Sequence, residues 1–85
     1  MTYKVLMVLR GAIDLSDGVH VVRVFGEALL PTADNSSAFV VYVDSMKHVD
    51  PGHDEKTIDA VTRQAVISAI TAYFSSRRMT VDFEP

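Results

Sequence analysis

The sequence predicts an α+β domain: a four-stranded mixed sheet with one long helix packed across one face. Three patterns carry that prediction. Apolar runs rich in Val, Leu, Phe and Tyr cover residues 3–10, 19–30 and 38–45, separated by segments holding Gly, Asp, Pro and Ser, the composition of strands and their turns. Residues 54–76 carry apolar side chains three and four apart, the spacing of a helix face. Residues 79–84 then alternate, Met79, Val81 and Phe83 against Thr80, Asp82 and Glu84, as a strand with one buried face does.

The first strand holds an unbroken apolar stretch, Val5 to Leu9, between Lys4 and Arg10. An unbroken run suits a strand covered on both faces. Residues 11–18 read as a loop, because Asp17-Gly18 is a strong turn dipeptide. The second strand, 19–30, sets His20, Val22, Val24, Gly26 and Ala28 on one face and Arg23 and Glu27 on the other. A glycine in mid-strand marks a bulge or bend. Residues 31–37 are a polar loop, and Phe39 to Val43 centre the third strand.

Residues 47–53 connect to the helix. Asp50 is placed to cap it, Pro51 to open it, and Asp54 and Glu55 to meet its positive end. On the helix, Ile58, Thr62, Ala65, Val66, Ala69 and Tyr73 form the stripe expected to face the sheet. Ala60, Ile67 and Phe74 fall on the other side, with Ile70 at its edge. Short links make the first three strands a meander. The helix then crosses back, so the last strand runs parallel to the third and sits beside the first. The expected spatial order is 3-2-1-4, with the first strand interior and the helix-free face of the sheet uncovered.

Eighty-five residues fit one domain, 1–85. Lys+Arg 8 against Asp+Glu 11 gives a net charge of -3, whereas a nucleic-acid-binding face shows as a basic excess. The longest apolar run is too short to span a bilayer. There is no cysteine, so thiol catalysis and thiolate metal sites are excluded. No nucleophile elbow, P-loop or dinucleotide fingerprint occurs. The expected location is a reducing cytoplasm, that of an infected host cell being the setting if the domain is viral.

Hydrophobic residues make up 48% of the chain, more than one small core needs. The expectation is therefore a non-enzymatic protein acting by surface contact: a homo-oligomer, most simply a dimer, or an inhibitor or adaptor of a larger protein. Ile67, Ile70 and Phe74 are the candidate interface. A second reading is a ligand-binding oligomer with a pocket between subunits, to which His20, Arg23 and Tyr42 would offer polar groups. A third is a small enzyme using His48, Asp50 and His53, which could also hold a divalent metal. Capping and loop exposure explain those three residues without chemistry, so no metal and no cofactor is expected.

Overall fold

Alternation along short strands decides which residues reach the core, and turns decide where each strand stops. The computed structural model describes residues 2–30, 37–49 and 57–85. Its strands are β1 (Lys4–Val8), β2 (Ala12–Ser16), β3 (Val21–Ala28), β4 (Ser37–Tyr42), β5 (Lys47–His48) and β6 (Thr80–Glu84). One 17-residue helix, α1 (Ala60–Ser76), precedes β6. The sheet order is β1-β2-β3-β4-β6, with β5 paired to β3. Neighbours are antiparallel except β4 and β6, which run parallel across the helical crossover.

This corrects the expected four-stranded sheet in order 3-2-1-4. Among the described residues one α-helix is present in an α+β arrangement, but the sheet has six strands in a different order. The segment read as a loop, residues 11–18, contains β2. Its Ile13 and Leu15 are fully buried while Asp14 between them is only partly so. A tight turn closes the β1–β2 hairpin, the Leu9 amide donating to the Ala12 carbonyl at 2.7 Å. With β2 inserted, β1 becomes an edge strand rather than an interior one. The last strand lies against β4 and not against the first strand.

The Asp17-Gly18 turn follows β2. The Asp17 carboxylate accepts the amides of Val19 and His20 at 2.8 and 2.7 Å. Gly18 takes φ 97°, a left-handed conformation that glycine adopts without steric cost. β3 then serves two partners along one edge. Gly26 to Ala28 pair with β4, and Val22 and Arg23 pair with β5. Between the two, a 3₁₀ turn (Val43–Ser45) breaks the ladder. Ser45 mends the gap: its Oγ accepts the Phe25 amide at 2.8 Å and donates to the Tyr42 carbonyl at 2.6 Å.

The core joins Ile13 and Leu15 of β2, Val22 and Val24 of β3, and Phe39 and Val41 of β4 to Val66, Ile70 and Phe74 of α1. Gly26 is not a bulge. It lies directly opposite Val41, and a Cβ there would strike the Val40 carbonyl and the Phe39 ring. β4 and the Phe39 ring thus occupy the space a side chain would need.

The helix begins later than residue 54. Residues 57–59 are not helical, and Asp59 is the cap, accepting the Thr62 amide at 2.7 Å. The expected cap Asp50 and the residues 54–56 lie outside the described residues. At the other end the amides of Arg78 and Met79 donate back to the Ser75 and Phe74 carbonyls, the paired bonds of a Schellman stop. Arg78 holds φ 57° there. Met79 is thereby aimed straight into β6.

Two outcomes follow from these contacts. Gly26→Ala should lower unfolding stability by about 1–3 kcal/mol, the scale of overpacking a tight site; denaturant titration at an unchanged midpoint would contradict the close approach. The amides of Thr62, and of His20 and Val19, hold the carboxyls of Asp59 and Asp17 below the usual aspartate range. Depressed folded-state values mean stabilisation that is present above about pH 4 and lost as pH falls through the folded-state value. Asp59→Asn keeps a capping oxygen but cannot titrate. Its melting temperature should fall less than that of the wild type between about pH 6 and about pH 3, and equal falls would contradict the assignment.

Candidate interaction surfaces

Residues that alternate with the core point to the helix-free face of the sheet. Asp14 and Arg23 lie opposite each other on β2 and β3. They make a two-pronged ion pair, Nε to Oδ1 at 2.7 Å and the Nη2 to Oδ2 hydrogen bond at 3.0 Å. That hydrogen bonding, then the Asp14 charge, raises the Arg23 pKa above its ordinary value. Beside them the Lys47 ammonium sits 5.2 Å from the centroid of Phe25. Toward β6 the face turns acidic. Glu27, Val40, Tyr42, Asp82 and Glu84 line a shallow concavity of about 540 Å³. Burial, then the charges of Glu27 and Glu84, push the Tyr42 phenol above its ordinary pKa. The Ser37 hydroxyl donates to Asp82 in the same corner.

A different surface runs along β1. Leu6 is 59% exposed and Met7 54%, and Val8 and Leu9 are also open to solvent. The ladder to β2 shifts register between Val5 and Met7, which breaks the clean alternation of inner and outer side chains. On its other edge β1 has no strand among the described residues. Next to it, between the chain entering β1 and the helix, lies an open groove of about 710 Å³, largely apolar. Thr2 and Tyr3 form one wall; Ala65, Ser68, Ala69 and Ala72 of α1 form another. Small residues keep that helix surface low, and Val61 stands exposed at its end.

The expected site residues are dispersed. Ile70 and Phe74, two of the three expected interface residues, are buried in the core, 0% and 3% exposed, and Ile67 is half-buried. The helix is turned so that Thr62, Val66, Ile70 and Phe74, four apart, face the sheet. His20 is half-buried and lies edge-on to buried His48, ring centroids 5.6 Å apart. Arg23 is committed to Asp14 and Tyr42 to the acidic corner, so the three expected ligand contacts occupy three different settings. Asp50 and His53 lie outside the described residues. Among the described residues no three metal-ligating side chains converge. No described helix is long and apolar enough to cross a membrane.

A family model supplies the identification. Immunity protein 74 matches residues 5–84, nearly the whole chain, and the chain belongs to that family. No curated protein matches, and no solved structure does. A small immunity protein accords with the expectation of an interaction domain or inhibitor.

The open β1 edge was not legible as a surface, since its apolar run was read as an interior strand. The acidic corner gives a direct check: the Tyr42 phenol should titrate above the ordinary value near 10, and Glu27→Gln with Glu84→Gln should bring it down. An NMR titration showing no change in the double variant would contradict that assignment.

Proposed function

We propose that this protein neutralises a toxin protein by binding it, and that the exposed β1 edge with its adjoining groove is the contact surface. The observation that carries the reading is the apolar edge strand itself. Folded proteins shield or charge their edges, because an open apolar strand invites other chains. Here Leu6 and Met7 remain exposed on an edge that no strand among the described residues pairs, in a member of an immunity protein family. Contiguous apolar surface of this kind marks a binding site. The longest run of exposed large apolar side chains among the described residues, Leu6 to Leu9, thus lies along and just after β1.

Neutralisation by contact uses no catalytic group, metal or cofactor of this chain. The absence of cysteine agrees with a reducing cytoplasm as its place of action. Self-association is the competing use of the same edge, and a mass by light scattering equal to one chain at high concentration counts against it.

The toxin is the test. Leu6→Asp with Met7→Asp should leave the fold intact, since both side chains are already exposed and surface changes rarely exceed about 0.5 kcal/mol. Toxin affinity should fall at least tenfold, because each carboxylate would be buried without a partner. Wild-type affinity and full protection of toxin-exposed cells by the double variant would show that the contact lies elsewhere. Failure of the wild type to bind any toxin it protects against would overturn the function itself.

A further inference from the structure

We propose that the partner joins the sheet as an added strand alongside β1, with an apolar centre and acidic residues at its two ends. The inference rests on the reading of β1 as the toxin-binding edge and concerns how that edge is used. In an antiparallel ladder alternate residues turn their amide and carbonyl toward one neighbour, and the others turn away. β2 takes one set of β1's groups; the other set points off the sheet, where among the described residues no strand lies. A strand is the occupant that satisfies those groups. Its side chains alternate between the two faces, and one set would lie on the side of the groove between Tyr3 and the small helix residues Ala65 and Ala69.

Charge selects the occupant. The first acidic residue of the chain is Asp14, so the whole stretch through β1 carries Lys4 and Arg10 and no carboxylate. Both cations are exposed. The opposite edge of the sheet, β6, carries Asp82 and Glu84 instead. A second copy fits this pattern poorly. Two β1 strands paired antiparallel would bring the Lys4 end of each toward the Arg10 turn of the other, cation near cation, which is unfavourable. β1 of one copy against β6 of the next matches in charge, but that head-to-tail contact closes only if its rotation completes a ring and otherwise extends into a filament. A toxin segment with a carboxylate toward each end of β1 meets both cations, Lys4 at the start of the strand and Arg10 in the turn that follows it.

Hydrogen exchange on the intact protein, free and bound to a catalytically inactivated toxin, tests the mode. The β1 amides should exchange at least tenfold more slowly in the complex. Lys4→Glu with Arg10→Glu should fold normally by circular dichroism and bind at least tenfold more weakly. Reversing the matching toxin carboxylates to Lys should restore its binding. If the toxin binds with unchanged β1 exchange and the charge-reversed variant keeps its affinity, strand addition is wrong while the neutralising function stands. If the toxin does not bind at all, the underlying function reading fails instead. If β1 is protected in the free protein in step with a doubled mass, a second copy occupies the edge and the proposal is overturned.

Discussion

The sheet depends on β3 being shared. This strand pairs with β2 over Val21–Phe25 along one edge and with both β4 and β5 along the other. Val22 and Val24 are fully exposed to the core and not to water. At Gly26 the neighbouring backbone and the Phe39 ring close in to where a side chain would stand. Each fully buried Val or Phe stabilises by about 1.5–3 kcal/mol relative to leaving it in water, but only if β4 sits at this distance and register. Ser45 keeps the register by bridging the interruption between β4 and β5. Everything beyond, α1 over one face and β6 against β4, is built on that central placement.

The class of the fold was legible, and its order was not. The helix from Ala60, strands within the second and third runs and the alternating tail form where their patterns imply, but residues 57–59 are not helical and Val43–Ser45 is a 3₁₀ turn rather than strand. β2 was hidden by its neighbours: Gly11 and Asp17-Gly18 announce a turn at each end, and only five residues lie between. Those five do alternate, Ile13 and Leu15 against Asp14 and Ser16, which is the signal of a strand. Missing it made β1 interior and sent the last strand to the wrong edge. The helix start failed for a related reason. Asp50-Pro51 and Asp59 both offer caps, and the later one ends the extended backbone.

The candidate interface misplaced the helix by a fraction of a turn. Ala60, Ala65, Ala69 and Ala72 spread around α1, and alanine fits a core or a surface almost equally. With apolar residues on several sides, the wheel has no sharp polar face to fix its orientation. The larger side chains decided it: Ile70 and Phe74 fill the space above Phe39, the two Phe rings 6.0 Å apart. Part of the exposed apolar surface lies on the edge strand that the topology leaves open, in Leu6 to Val8 and the adjoining Leu9. Leu6 and Met7 are exposed on an edge beyond which no strand lies among the described residues, whereas the acids of β6 guard the far edge.

On the proposed reading, the sheet and helix hold an apolar, cation-flanked edge for the toxin. A structure of the complex with an inactivated toxin tests that claim most directly. The account predicts a single sheet running from the toxin into β1, with toxin side chains in the groove beside α1. A toxin seated on the helix-free face over Phe25 and Tyr42, with the β1 edge still open, would contradict it.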